Sequence, residues 1–243
     1  MSIKIRLKSS LDEKLVKNHV FFTDQDFKIS GFNKLSIFKS SNLITKSITS
    51  NKISDKNFLS FNINPTQKII LIKIKNHLSS LDIEKIGADF YSYLKINSFF
   101  KITFYEQNIK NANCQNKYFF DEFIHGVELK SYEFNKYKSK NENKIFEVDI
   151  LNKSKSFKLN QNKRFQSLIE GTNFTKDLVS EPGNILHPDE YAKRLLQLKK
   201  LGLKINVYNK IQLKKLGMNA LLGVGQGSIR GSYLVTLEWK GIK

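Results

Sequence analysis

The most constraining feature of the sequence is an alternation of strand-like and helix-like segments between residues 68 and 151. The run KIILIKIK at residues 68–75 is short, apolar and rich in β-branched residues, which is typical of a buried strand. The next segment, LDIEKIGADFYSYLKI, has a helical spacing of its apolar residues, at Ile83, Ile86, Phe90, Tyr91 and Leu94. Because strands and helices that alternate in this way pack as layers, the region predicts an α/β sheet domain.

Three further segments extend the alternation. FFKITFYE at residues 99–106 and KIFEVDIL at residues 144–151 are predicted strands. Between them, YFFDEFIHGVELKSYEF has one apolar helical face, formed by Phe120, Phe123, Ile124 and Val127. Near the start of the chain, KLSIFK (residues 34–39) and NFLSFNI (residues 57–63) are candidate strands whose order stays open.

Glycine and proline indicate that the chain has two parts. Nine of the twelve glycines, and Pro182 and Pro188 among the three prolines, lie beyond residue 170. Together with the polar stretch LNKSKSFKLNQNKR at residues 151–164, this shift predicts one domain over residues 1–160 and a second over residues 161–243. The second domain is expected to leave strand edges and apolar side chains uncovered, since it contains only two predicted strands.

The second domain is predicted to begin with two helices separated by a tight turn. The first, RFQSLIEGTNFTKDLVS, ends at Pro182 and Gly183, and the next starts with His187 at its N-cap and Pro188 in its first turn. The inward face of that helix is predicted to consist of Tyr191, Leu195, Leu196 and Leu198. LKINVYN and SYLVTLEWK are then predicted strands, KIQLKKLGM a short helix and ALLGVGQGS a glycine-rich turn.

Composition limits the partners and the compartment. The formal net charge of +19 suits a polyanion, but only four of the 41 basic residues are arginines, and the lysines are spread along the whole chain. A solvated lysine-rich surface is therefore preferred to nucleic-acid binding, which stays open. A single cysteine, Cys114, and the absence of a leader-like or membrane-spanning apolar segment predict a cytoplasmic protein without membrane attachment.

Residue spacing alone identifies no catalytic, cofactor-binding or metal site. Glu122 and His125 form one Glu-x-x-His, but di-metal helical bundles use two, so a partly buried histidine is preferred. The G-x-G-x-G within GVGQGS, residues 223–228, lacks the Lys-Ser/Thr ending of a phosphate-binding loop, so close-packed backbone is preferred there. Cys114 has no activating neighbour in the sequence.

Residues 65–243 nevertheless resemble, in matching order, the leucine aminopeptidase (cytosol aminopeptidase) family. The resemblance is carried by TKDLVSEPGNILHPDEYAKRL, LKINVYNKIQLKKLGMNALLGVGQGS and YLVTLEWKG, with GVELKSYEFNKYKSK upstream. Gly183 stands where the family often has a second proline and His187 where threonine is usual, and both suit the turn. Asn76 and His77 replace a glycine-bearing loop, which argues against a ligand role for the N-terminal domain.

The resemblance implies a macro-domain-like mixed sheet with flanking helices, followed by the beginning of a zinc-peptidase-like α/β domain. Members of the family remove N-terminal residues from peptides, use two divalent ions such as zinc or manganese, and assemble as homohexamers. Such a metal pair would polarise the scissile carbonyl and activate a bridging water. The metal-binding segments of the family, similar to VGKGxxFDxGG and NTDAEGR, do not occur in this sequence. No residue of this chain is therefore expected to bind the ions.

Two hypotheses follow. In the first, the chain is the N-terminal portion of such an aminopeptidase and is inactive by itself. In the second, it is a non-catalytic interaction or nucleic-acid-binding subunit. A reading frame that continues past Lys243 into the metal-binding segments would favour the first hypothesis, and a stop codon there the second.

Overall fold

A computed structural model describes residues 3–29, 57–112, 116–139, 145–153 and 163–241. The chain divides into two compact units, residues 1–173 and 174–243. The domain boundary predicted between residues 160 and 161 lies outside the described residues and stays a prediction. Both units combine strands with helices, which confirms the predicted α/β class.

The first unit is built on a mostly parallel sheet. Its described strands are β1 (Ile3–Lys8), β2 (Asn18–Thr23), β3 (Phe58–Asn62), β4 (Lys68–Lys73), β5 (Lys101–Tyr105) and β6 (Phe146–Leu151). They lie in the order β1-β6-β5-β2-β4-β3, and only β3 at the edge runs antiparallel to its neighbour among these strands. The predictions for β3 to β6 are confirmed, β1 and β2 had not been predicted, and KLSIFK lies outside the described residues.

Two long helices cover one face of this sheet. The α-helices described in the first unit before β6 are α1 (Ser80–Ile96), the short α2 (Glu106–Ala112) and α3 (Phe119–Ser131). Ser79 caps α1, because its hydroxyl accepts the Asp82 N–H while the Asp82 carboxylate accepts the Ser79 N–H. Helix α2 was not predicted, since EQNIKNA has little apolar periodicity.

The larger core lies between α1, α3 and the covered face of the sheet. Alternate residues of β2 point to opposite faces, so Val20 and Phe22 enter this core while Phe21 enters a smaller cluster on the other face. The Phe22 ring lies 5.1 Å, centroid to centroid, from the rings of Phe119 and Phe123. Burial of each such side chain contributes about 1.5–3 kcal/mol, which makes this layer the main source of stability in the unit.

Helices α1 and α3 touch each other through glycine. A Cβ atom on Gly87 would lie 2.0 Å from the carbonyl oxygen of Phe123, and one on Gly126 would lie 2.0 Å from that of Glu84. The two helices therefore pack backbone against backbone at this crossing, which any larger residue would force apart.

Strand β1 is fastened to β6 by charge as well as by backbone pairing. Asp149 is fully buried, and its carboxylate accepts hydrogen bonds from Arg6 Nε at 2.7 Å and Lys8 Nζ at 2.8 Å. Burial raises the pKa of Asp149, but the hydrogen bonds from Lys8 and Arg6 outweigh burial and hold the pKa below its usual range. Since Arg6 also donates to Glu147 at 2.6 Å, the ion pairs specify which strand β1 joins.

The second unit contains a two-stranded antiparallel sheet. Helix α4 (Lys163–Ser180) contains the boundary between the units. After α4, the described α-helices and strands are α5 (Pro188–Leu196), β7 (Lys204–Tyr208), α6 (Lys210–Lys215), α7 (Asn219–Val224) and β8 (Leu234–Glu238). Helix α7 corrects the glycine-rich turn predicted for ALLGVGQGS, because the helix continues through Gly223 before it ends at Gly225. Tyr191 was wrongly predicted to point inward, as its side chain is exposed while Ala192 and Leu195 are buried.

Large apolar side chains are exposed throughout the second unit, as its few predicted strands led us to expect. Among them are Val179, Val224, Ile229 and Trp239. In the described parts of the chain, we find no helix with the length and apolar character required to cross a membrane.

Candidate functional site

A buried ion pair holds the turn between α4 and α5. The Glu181 carboxylate, whose side chain is 1% exposed, accepts a 2.5 Å hydrogen bond from Arg194 Nη1. Arg194 Nε also donates to Glu190 at 3.0 Å, one helical turn earlier. The start of α5 is therefore tied to the turn by a guanidinium group that bonds two carboxylates.

His187 occupies the predicted N-cap of α5 in an extended conformation, although its side chain makes no capping bond to the helix backbone among the described contacts. Its Nδ1 atom bonds the Asp189 carboxylate instead. Burial raises the pKa of Asp189, but backbone and His187 hydrogen bonds outweigh burial and lower it. Because His187 and Asp189 bond each other at the start of α5, a structural role is favoured for His187.

Glu122 and His125 do not converge on a shared ligand position. The Glu122 carboxylate accepts hydrogen bonds from Ser80 Oγ at 2.9 Å and Asn116 Nδ2 at 2.8 Å. His125 is 6% exposed and its Nδ1 lies 2.9 Å from Glu84 Oε1, while its Nε2 has no hydrogen-bond partner among the described residues. His125 is therefore more deeply buried than the partly buried histidine that the sequence predicted.

Asp121, beside Glu122, has a carboxyl group that is easier to protonate than usual. Burial, with added repulsion from Glu122, raises the pKa of Asp121 to about 6. An aspartate in an unfolded chain has a pKa of about 3.9. The folded state therefore binds this proton more tightly, and the stability of the fold falls as the pH rises from about 4 to about 6.

Replacing Asp121 with asparagine should remove this penalty. We expect the free energy of unfolding to rise by about 1–2 kcal/mol at pH 7, after allowance for partial exposure, and the gain to vanish near pH 4. Urea unfolding at both pH values measures the difference. The same substitution at exposed Asp89 on α1 is the control and should change stability by less than about 0.5 kcal/mol. An equal gain at pH 7 and pH 4 would contradict the assignment to ionisation.

The G-x-G-x-G segment shows close packing at one of its three glycines. A Cβ atom on Gly225 would lie 2.1 Å from Ser232 Oγ, whereas the described chain leaves space around Gly223 and Gly227. The interpretation as close-packed backbone therefore holds at Gly225 alone.

The described residues do not fit a metal centre. Within them, no group of three or more His, Cys, Asp or Glu side chains is placed to hold an ion. Cys114 lies outside the described residues.

A cleft of about 1380 Å³ opens at the carboxyl ends of β2 and β4. Its walls include Thr23 and Asp24 at the end of β2, residues 74–80 from the end of β4 to the first residue of α1, and residues 116–119 at the start of α3. Sequence reasoning missed this cleft, because its lining residues come from four separate segments and share no motif. The lining residues meet at one edge of the sheet. The one feature of the sequence that could have indicated the cleft is the short segment that joins β4 to the capped start of α1.

Sequence comparison connects the chain with peptidases. Residues 173–243 match the family model described as "Cytosol aminopeptidase family, catalytic domain". A probable cytosol aminopeptidase of Phytoplasma mali is 45% identical over 125 residues, which are 49% of this chain and 25% of that protein. A probable cytosol aminopeptidase of Sinorhizobium medicae is 33% identical over 186 residues, 74% of this chain and 37% of that protein.

Structure comparison shows a similar fold in larger proteins. A tomato leucine aminopeptidase mutant superposes with a TM-score of 0.70 at 18% identity, covering 98% of this chain and 50% of that one. The bottromycin maturation enzyme BotP in complex with manganese gives a TM-score of 0.63 at 15% identity, covering 91% of this chain and 45% of that one. The chain thus spans about half the length of these solved structures, and its alignments cover a smaller share of the curated relatives.

Proposed function

Because residues 173–243 match the catalytic-domain model of the cytosol aminopeptidase family, we propose that this chain belongs to that family and is the N-terminal part of a leucyl aminopeptidase that removes N-terminal residues from peptides. The observation that carries the proposal is the match of the second unit to the family's catalytic domain, supported by 45% identity to the Phytoplasma mali relative. The cytoplasmic location and the homohexamer implied by the resemblance belong to the same proposal.

The family is metal-dependent, and we propose two divalent ions, zinc or manganese, for the complete enzyme. The residues described here supply no ligand cluster for them, so no step of hydrolysis is assigned to a side chain of this chain. The contribution of the second unit is to fold the start of the catalytic domain, where Arg194 bonds Glu181 and Glu190.

A chimera tests the proposal. Residues 1–243 replace the corresponding N-terminal segment of the Phytoplasma mali relative, and leucine-amide hydrolysis is measured with added manganese or zinc. We expect metal-dependent hydrolysis by the chimera and none by the 243-residue chain alone. A folded chimera without activity, beside an active parent enzyme, would contradict the proposal. Hydrolysis by the isolated chain would contradict the expectation that the metal ligands lie elsewhere.

A second candidate function is a non-catalytic interaction subunit. The exposed apolar side chains of the second unit favour it, since such surfaces commonly mark binding faces. Co-purification of the chain with an intact relative, with no change in peptide hydrolysis, is the result expected of that function. The net charge of +19 allows a nucleic-acid variant, which predicts duplex binding that weakens steeply between low and physiological salt.

A further inference from the structure

His125, on α3, contacts two other helices of the first unit. Its Nδ1 atom lies 2.9 Å from Glu84 Oε1 on α1. Its ring lies 5.1 Å, centroid to centroid, from the Phe165 ring in the first turn of α4, with an angle of 49° between the ring planes. Only 6% of His125 is exposed. One buried imidazole therefore joins α1, α3 and the first turn of α4.

The hydrogen bond to Glu84 assigns a proton to one ring nitrogen. An ionised carboxylate only accepts hydrogen bonds, so Nδ1 of His125 has to be the donor. Nε2 is buried and has no hydrogen-bond partner among the described residues, so it carries either a bare lone pair or a second N–H. The second N–H makes the ring a cation, and the centroid of Phe165 lies within the distance of about 6 Å over which an aromatic ring attracts a cation. The contacts on both sides of the ring therefore favour the imidazolium form.

The titratable groups that face His125 from α1 and α3 are carboxyl groups. Glu84 comes from α1, and α3 supplies Glu128, less than one turn after His125, and Asp121, about one turn before it. Burial raises the pKa of Glu128, and attraction to His125 acts in the opposite direction. Carboxyl groups on two helices therefore offset the cost of burying a positive charge on the ring.

Helix α4 has little buried surface of its own. Every side chain that the structure describes in α4 is half-buried or exposed, including the exposed Arg164 beside Phe165. No described residue of α4 belongs to the apolar core between α1, α3 and the sheet. A helix with few buried apolar contacts opens more readily than a helix in a core. We therefore expect the contact between His125 and Phe165 to influence how often the start of α4 opens.

We propose that His125 is a pH-sensitive attachment point for α4, at which the imidazolium joins Glu84 on α1 to Phe165 on α4 and loss of its proton loosens the start of α4. Histidine side chains change charge between about pH 5 and pH 8. The charge pair with Glu84 is present on the acidic side of this range and is lost as the pH rises, so α4 is held at low pH and loosened at high pH. This device goes beyond the proposed peptidase function and does not depend on it.

The charge state of His125 is measured from the 15N NMR shifts of its ring in the full chain. At about pH 5.5 both ring nitrogens should carry a proton. At about pH 8, Nε2 should lose its proton while Nδ1 keeps the proton that Glu84 accepts. Loss of the Nδ1 proton instead would overturn the assignment of Nδ1 as the donor.

Hydrogen exchange of the full chain measures the attachment of α4. Relative to an unstructured peptide at the same pH, the backbone amides of residues 167–172 should be protected about tenfold less at pH 8 than at pH 5.5. His125→Gln can still donate to Glu84 but carries no charge, so it should show the lower protection at both pH values. Glu84→Gln should lower the protection at pH 5.5 in the same way, and it tests the charge pair independently if His125→Gln does not fold.

Two substitutions serve as controls and should keep the pH dependence of the parent chain. His77→Gln removes an exposed histidine between β4 and α1, and Asp121→Asn removes the carboxyl group whose pKa is about 6. Equal protection of α4 at pH 5.5 and pH 8 in the parent chain would overturn the proposal. A tenfold change that persisted in both His125→Gln and Glu84→Gln would assign the pH dependence to other groups and would overturn it as well.

Discussion

Replacing Gly126 with alanine is expected to lower the free energy of unfolding of the first unit by about 3 kcal/mol or more. The new methyl group would lie 2.0 Å from the Glu84 carbonyl oxygen and 2.8 Å from the Glu84 Cα, and neither backbone atom can move without its helix. Relief requires α1 and α3 to separate, which opens the core around Phe90 and Phe123. Urea unfolding followed by circular dichroism measures the loss.

A glycine elsewhere in the chain provides the matched control. Gly171 lies inside α4, and apart from its chain neighbours and its own helix backbone, no atom of the described chain comes within 4 Å of a Cβ built there. Gly171→Ala should therefore stabilise the protein by about 0.5–1 kcal/mol, because alanine favours the helix more than glycine does. If Gly126→Ala stabilised the chain as Gly171→Ala does, the backbone contact between α1 and α3 would not exist in solution.

The sequence predicts those helices and strands whose own apolar pattern is sufficient to identify them. Strand β4 and helix α1 were identified from their apolar pattern, and the buried positions Ile83, Phe90 and Leu94 are confirmed. Strand β1 was missed because its partner β6 is about 140 residues away, so that Arg6 and Lys8 look like surface charges until Asp149 lies beside them. No local pattern contains that pairing.

Residues that contact the backbone of a distant segment could not be identified from the sequence either. Asn108 lies in a polar helix with weak periodicity, and its side chain accepts the Phe22 N–H and donates to the Phe22 carbonyl oxygen. Gly87 and Gly126 did carry a signal, since an isolated glycine within an apolar helical pattern indicates a close backbone approach. A close contact of each glycine-bearing helix could be suspected from the sequence, but the atoms that each glycine contacts could not be identified.

In the second unit, the turn was predictable but the ion pair that holds it was not. Pro182 and Pro188 fit the end of one helix and the start of the next, as predicted from their backbone preferences. Gly183 does not adopt the left-handed conformation that was predicted for the helix exit. Glu181 and Arg194 are 13 residues apart, and nothing in their spacing shows that the carboxylate is buried. The structure thus identifies a contact that ties the turn to the start of α5.

Replacing Arg194 with methionine should lower the stability of the second unit by about 3–5 kcal/mol, because the buried Glu181 carboxylate would lose the charge-assisted hydrogen bond from the Arg194 guanidinium. Hydrogen exchange of the full chain measures the effect, and we expect the backbone amides of α5 and β7 to exchange faster. Arg230→Met is the matched control, since Arg230 is exposed and lies 3.8 Å from Asp189, and exposed pairs contribute at most about 1 kcal/mol.

A double substitution separates the lost charge from the lost packing. Glu181→Gln combined with Arg194→Met removes the buried negative charge, so we expect the double variant to recover a large part of the stability lost by Arg194→Met. Similar hydrogen exchange in the Arg194→Met and Arg230→Met variants would show that the bond between Arg194 and Glu181 does not stabilise the second unit. A double variant no more stable than Arg194→Met would assign the loss to packing of the arginine side chain instead of its charge.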